Sequence, residues 1–473
     1  MTVIQPFDPA ERVREMIMIK LREKNTPKNL LFTNADLKKL IVPLIIEQFL
    51  SVMVGMADIM MVSAAGETAV SGVALVDLIN VLIINIFAAL GTGGAVVVAQ
   101  LLGARQKERA RQAACQLVYI TAAIGIVMMA AVCLWRSPLL HLLFGSTEKA
   151  VMDSALIYFL ISAFSYPFIA VYNAGAALFR AQGNSRISMY ISALMNVVNI
   201  IGNAVFVYVF HRGADGVAAS STISRAMAAV IVIALLHKKT LEVYVEKLLH
   251  FKLDRRLILR ILSIGIPNSL ENSFFQLGRV LLVSMISGFG TVQITANAVG
   301  NNLAAFCIMP GQAMGLALVT VIGQCVGSGD FVQVRYYLKK LMKYTYIMMW
   351  ALNLVLFLIL PVILSAYNMS EETYTLALIL ICIHNISAIF LWPLSFTMPN
   401  ALRAANDVRF PMAISIFSMC VFRLGFSYVI GVIFGYGAIG VWIAMVIDWV
   451  FRVICFLLRV RRVLWKMHPL PRV

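Results

Sequence analysis

Two carboxylates, Glu47 and Asp58, sit inside a run, PLIIEQFLSVMVGMADIMMVS at residues 43–63, that otherwise reads as an apolar helix. An ionised acid at bilayer depth costs at least about 2.5 kcal/mol, so such a group faces a cavity, a partner or an ion. There it can take up and release a proton or hold a small cation. The two acids are eleven residues apart, about three helical turns and roughly 16 Å of rise, which puts them on one face with Ser51 and Gly55. Further on, NVVNIIGNAVF repeats Asn196, Asn199 and Asn203 along one helix face. Their amide oxygens, with the hydroxyl of Ser221 in AASSTIS, are neutral ligands that suit a cation or a hydrated proton. The competing reading is structural. Amides and hydroxyls also tie membrane helices together, at about 0.6 kcal/mol per contact. Glu47 can likewise bind a helix end or an arginine near one membrane face.

The elements that position these groups follow from composition. The chain of 473 residues is 61% hydrophobic and 13% charged, with a mean hydropathy of +0.88, which excludes an ordinary soluble protein. Its net charge of +17 does not point to nucleic acid, because the basic residues lie between apolar runs, where they set orientation and meet lipid headgroups. The seven cysteines stand singly, without metal-ligand or disulfide spacing. The N-terminus is charged for some forty residues before the first apolar run, unlike a cleaved signal peptide. Spans of about 20 apolar residues can be marked off twelve times, at 39–62, 77–102, 113–135, 150–179, 187–210, 216–236, 257–287, 293–326, 341–364, 373–401, 411–433 and 438–458. Lys and Arg gather in alternate connections, and the intervening ones hold only Arg136, Lys149 and Arg212. Both termini are therefore expected on the cytoplasmic side of the cell membrane.

Sliding the chain on itself by about 224 residues sets VPLIIEQ on IPNSLEN, AQLLGA on GQCVGS, FRAQGNSR on LRAANDVR and GADGV on GAIGV. Glu47 thus has a twin in Glu271, whereas Asp58 falls near Leu281 or Leu282 and has none. The expected fold is all-α, two six-helix bundles related by a pseudo-two-fold along the membrane normal. The expected units are a cytoplasmic segment 1–38, a bundle 39–236, a charged amphipathic linker 237–256 drawn as a surface helix, a bundle 257–458 and a basic tail 459–473. The second half offers its own polar groups for cavity, substrate or gating roles. They are Glu271, Asn272, Gln276, Asn297, Asn301, His384 and Trp392, beside Glu47 and Gln48 in the first half. Glu271 has Arg279 two turns on as a possible partner, and His384 reads either as a titrating group or as a packing residue. Asp77 and Asn80 open the second span, where Asp77 can cap the helix. GTGG at 91–94 and PGQAMG at 310–315 allow close helix approach or bending.

This pattern resembles the multidrug and toxic compound extrusion (MATE) family. The twelve-span, two-by-six layout carries the resemblance, together with GMADIMMVS, AQLLGA, ALFRAQGN and ALRAAND in that order. It implies two bundles in a V, alternating access, and export of small organic compounds, often amphipathic cations, in exchange for protons or sodium ions. No cofactor, no enzymatic activity and no nucleic-acid partner is implied, and a monomer in lipid is expected. Asp58 matches the family's coupling acid in the first helix, and Ser221 its cation-site threonine. The resemblance thus places cation coupling, with sodium as one candidate ion, at Asp58, Asn199 and Asn203. Asn203 stands where many members carry an aspartate, which removes one titratable group. Glu271 resembles an acid of the seventh helix but lies about one turn early, and Trp392 takes the place of an acid in the tenth. The nearest rival is a flippase for lipid-linked precursors, for which a basic central cavity is expected. An integral membrane enzyme would need a clustered His/Asp/Cys site.

Overall fold

The computed structural model describes residues 29–63, 66–145, 147–245, 253–367 and 369–464, with the backbone but not the side chains of residues 54–60 and 62–63. Among these residues the chain is helical throughout, with no strand. In chain order the helices are α1 (Asn34–Ser63), α2 (Glu67–Gly103), α3 (Lys107–Phe144), α4 (Lys149–Phe164), α5 (Tyr166–Ala181), α6 (Ser185–Ala204) and α7 (Ala214–Leu236). The second half follows with α8 (Arg255–Ser287), α9 (Thr291–Gly327), α10 (Phe331–Ser365), α11 (Glu371–Trp392), α12 (Pro399–Ala404), α13 (Arg409–Ser418) and α14 (Gly437–Val463).

Each expected span falls on one of these elements. Helices α4 and α5 form one span bent by 46° at Ser165, where Pro167 in the first turn of α5 cannot donate to the preceding helix. Helices α11 and α12 are joined by a π-helical turn, Pro393–Thr397. Nine described helical stretches are long and apolar enough to cross a membrane, ten with the bent pair. The other two spans are α1 and α8. They are repeat-mates, both with a proline inside (Pro43 and Pro267) and both with ionisable residues in the apolar run. Wide π turns recur in matching places, Val205–Val209 after α6, and Met419–Gly425 and Ser427–Ile433 after α13.

The halves cross rather than merely touch. Leu37, Leu40, Ile41 and Leu44, at the start of α1, are buried in the core of the second half with α9, α10 and α14. Ile261 and Ile264, at the start of α8, are buried in the core of the first. Helices α2 and α9 meet at the basic end through two glycines. A Cβ on Gly103 would stand 1.9 Å from the Gln324 carbonyl oxygen, and one on Gly327 would stand 1.9 Å from that of Gln100, so only glycine fits either place. The segment before α1 is strapped to α10, with Tyr337 Oη donating to Phe32 O at 2.6 Å and Phe32 N donating to Tyr337 Oη at 2.9 Å.

Two expectations change. Helix α2 begins ten residues earlier than expected, so Asp77 lies well inside the helix and does not cap it. Residues 237–245 are turns, not a surface helix, and they fold onto the first half. There Val243 N donates to Gln182 Oε1 at 3.0 Å, and Val243 and Val245 are buried. The rest of the expected linker helix, 246–252, lies outside the described residues. Helix α8 then starts at a true cap, where Asp254 accepts from Arg256 N and Leu257 N.

Candidate functional site

At the basic end the repeat builds one clamp twice. Arg180, closing α5, donates to Glu47 at 3.3 Å, and Ser188 of α6 donates to the other carboxylate oxygen at 2.9 Å. Arg403, closing α12, donates to Glu271 at 2.7 Å, and Ser415 of α13 donates to its other oxygen at 2.7 Å. Arg452 of α14 adds a second guanidinium 3.9 Å from Glu271. The partner of Glu271 is therefore Arg403, 132 residues away, and not Arg279. Both acids are buried, so removing one partner leaves a charge without compensation, at about 3–5 kcal/mol. The duplication extends to the seam. Gln100 Nε2 donates to Ala404 O at 2.7 Å, and its repeat-mate Gln324 donates to Ala181 O at 2.8 Å. Arg260 donates to the other side of Gln100, at 2.7 Å from Oε1.

Half-way across, the first half holds a neutral polar cluster. Asn199 Nδ2 donates to Ser221 Oγ at 3.1 Å, Asn203 Nδ2 donates to Asn199 Oδ1 at 3.4 Å, and Ser220 Oγ donates to the Asn199 carbonyl at 2.8 Å. The turn carrying Gly202 lets α6 and α7 approach, since a Cβ there would meet Ser220 Oγ at 2.3 Å. Helix α1, which carries Asp58, packs along α6. The side chain of Asp58 lies outside the described residues. Three of the four expected coupling residues are thus brought together, Asn199 and Asn203 buried and Ser221 half-buried.

A second cluster in this half was under-read. Asp77 accepts from Tyr158 Oη at 3.0 Å and from Asn80 Nδ2 at 3.2 Å, while Tyr166 Oη donates to Asn80 Oδ1 at 2.7 Å. Arg225 of α7 donates to Ser165 at the α4–α5 bend, 2.7 Å away.

The second half is charged at the same depth. Asp448 of α14 accepts a short bond from Ser418 Oγ. Arg423, in the π-helical stretch after α13, lies within electrostatic reach of Asp448, Arg279 and Arg452. Arg452 stacks on Phe396 at 4.2 Å and donates to Ser395 O at 3.3 Å. Asn297 accepts from Trp442 Nε1 at 2.9 Å and from Asn301 Nδ2 at 3.1 Å. His384 is buried, hydrogen-bonded to Asn385 at 3.0 Å, with its ring against Trp442 and Trp449. Trp392 is buried too. It stacks on Phe396 and fills the space over Gly311, where a Cβ would meet its ring at 2.1 Å. His384 and Trp392 are thus placed in packing, while Gln48, Asn272 and Gln276 are half-buried. Arg423, Asp448 and Arg452 escaped the sequence reading, although Asp448 and Arg452, one helical turn apart in an apolar run, were a visible signal. Among the described residues no group of His, Cys, Asp and Glu could hold a metal ion.

The comparisons agree with this geometry. The sequence profile of the MatE family matches residues 43–205 and again residues 267–429, two segments offset by 224 residues. The chain is 27% identical over 423 residues to the uncharacterized transporter YisQ of Bacillus subtilis, covering 86% of this chain and 90% of that one. It is 24% identical over 431 residues to the probable multidrug resistance protein NorM of Thermotoga maritima, covering 88% and 90%. Its fold matches an outward-facing multidrug resistance MATE family transporter of the MOP superfamily with a TM-score of 0.85 at 20% identity, over 91% of this chain and 96% of that one. With the profile present twice, once in each crossed half, the chain belongs to the MATE family of membrane transporters.

Proposed function

We propose that the chain is a secondary active exporter of small organic compounds that exchanges them for protons or sodium ions. The observation that carries this reading is the convergence of Asn199, Asn203 and Ser221 in one half only, with Asn199 and Asn203 on α6, which packs against the helix that bears Asp58, and Ser221 of α7 bonded to Asn199. Amide and hydroxyl oxygens beside a carboxylate can hold a sodium ion or a hydrated proton site, and either would neutralise Asp58 and lower the cost of its burial. A ligand that binds one bundle geometry better than another shifts the population towards it, which couples the gradient to transport. The exchanged ion is itself a substrate, and no cofactor is called for.

The paired clamps at the basic end, read as cytoplasmic, serve as the gate on that side. The two bundles, 39–236 and 257–458, rock about the crossing of α2 and α9 in a chain that acts as a monomer. The deciding experiment is efflux from vesicles with the proton and sodium gradients collapsed separately. Asp58→Asn should abolish gradient-driven efflux while the protein still inserts and folds, and normal efflux by that variant would overturn the reading.

A second reading, a flippase for an anionic lipid-linked precursor, has one specific observation in its favour. The interior of the second half is basic.

A further inference from the structure

We propose that the second half binds the anionic group, a phosphate or carboxylate, of an amphipathic substrate, and that Arg279 and Arg423 hold it; this rests on the transport reading above. Six ionisable side chains gather in this half, Arg279 exposed and the other five buried or half-buried. Four are arginines (279, 403, 423 and 452) and two are acids (Glu271 and Asp448), which leaves an excess of two positive charges. Glu271 is taken by Arg403 and Arg452, and Asp448 accepts from Ser418 at Oδ1 while its buried Oδ2 has no donor and its charge acts on Arg423. Among the described residues Arg279 forms no ion pair or hydrogen bond. Arg423 buries Nε and Nη1 without an acceptor for either. Arg279 is exposed with its donors free, and the orphaned Nε and Nη1 of half-buried Arg423 have only the field of Asp448 to offset their lost hydration, so an oxyanion would give each guanidinium an acceptor. Its planar fork of donors matches the oxygens of a phosphate or carboxylate.

The backbone brings the two arginines together. Helix α8 meets the π-helical stretch Met419–Gly425 at Gly278, where a Cβ would stand 2.2 Å from the Met419 side chain. Arg279 follows that contact by one residue, and Arg423 follows Met419 by four, one turn on. Each lies within the other's field. π-helical turns of this kind recur at functional sites because they re-aim side chains. The repeat shows that this pair is no part of the shared architecture. The 224-residue offset sets Gly55 against Arg279 and Asn199 against Arg423, so the first half carries neither charge.

The test uses the full chain in phosphatidylcholine nanodiscs. Dodecyl phosphate is the probe, with dodecyltrimethylammonium as its charge-reversed control, and binding is read by tryptophan fluorescence. The phosphate is expected to bind and the ammonium not. Arg279→Gln and Arg423→Gln should each weaken phosphate binding by about tenfold or more, the scale of one charge-assisted hydrogen-bonded contact. Arg→Lys at either site should restore part of the loss. Equal binding of both probes by the unmodified chain, or undiminished phosphate binding by both Gln variants, would overturn the proposal. The probe comparison needs no variant and survives a folding failure. Two further arms separate the sources of the group: accumulation of free dodecyl phosphate in vesicles, and transbilayer movement of labelled phosphatidic acid. Activity in either supports the anion site. Loss of gradient-driven efflux in Asp58→Asn without selective phosphate binding leaves the transport reading standing and this proposal refuted. Selective phosphate binding with no response of transport to either gradient does the reverse.

Discussion

At their basic ends the two halves are near copies. Glu47 meets Arg180 as Glu271 meets Arg403, and Gln100 reaches the Ala404 carbonyl as Gln324 reaches that of Ala181. Half-way across the membrane they part company. The first half collects neutral amides and hydroxyls around Asn199, and the second collects arginines around Asp448. A duplicated element can do only what both halves need, which here is to tie helix ends together at one end. On the exchange reading proposed above, taking an ion in and putting a compound out requires groups that the duplication does not share.

The largest effect expected from breaking this comparison is at the shared crossing. Gly103→Ala and Gly327→Ala each drive a methyl group into a backbone carbonyl at 1.9 Å, so each should prevent closure of the basic end, and the two should do so equally. Labelling of a cysteine introduced at Ala404 by a membrane-impermeant thiol reagent, on a background free of the native cysteines, reads it. Next come the clamps. Arg180→Ala leaves buried Glu47 with no guanidinium and should cost about 3–5 kcal/mol, with Arg403→Ala costing less because Arg452 stays 3.9 Å from Glu271. Thermal unfolding in detergent ranks them, and equal losses would mean that Arg452 contributes nothing.

Asn199→Ala sharpens the contrast at mid-depth. It removes contacts worth only about 0.6 kcal/mol each, so the fold should hold while the ion dependence of efflux shifts. Its counterpart Arg423→Gln should leave that ion dependence unchanged. The smallest effect is at the start of α1. Asp36 accepts from Thr33 Oγ1 at 2.7 Å and from Thr33 N at 3.0 Å, and these bonds hold its carboxyl below the ordinary carboxylate value. A depressed folded-state value means that this cap is fully present above the ordinary pKa and is lost as pH falls through the lowered one. Asp36→Asn should abolish that acid-side fraying, which amide exchange at the first turn of α1 measures.

The spans, the repeat and the equivalence of Gln100 with Gln324 and of Gly103 with Gly327 were legible in the sequence, because each is a matter of periodicity or self-similarity; that α2 and α9 cross at these residues was not. Glu47 and Glu271 were legible as twins, yet their partners were not. Arg180 and Arg403 lie 133 and 132 residues from them, and only tertiary packing brings them close. Local spacing pointed to Arg279 instead, two turns along the same helix. Asp77 was misplaced because the apolar pattern starts later than the helix does, and Glu67–Val76 extends α2 past the hydrocarbon run. Arg423, in the π-helical stretch after α13, stands alone in a greasy stretch, and its meaning emerges only when packing sets it near Asp448 and Arg452 of α14.

The exchange of helix ends between the halves bears on biogenesis. As the chain emerges from the ribosome, the first six spans are inserted with a gap in their core that Ile261 and Ile264 of α8 will later fill, and the start of α1 has nothing to rest on until α9 and α10 arrive. Neither half is then a finished folding unit. Split between α7 and α8 and expressed as two polypeptides, the halves should survive quality control only together, so the protein reaches maturity in a single late step after the last helix has entered the membrane.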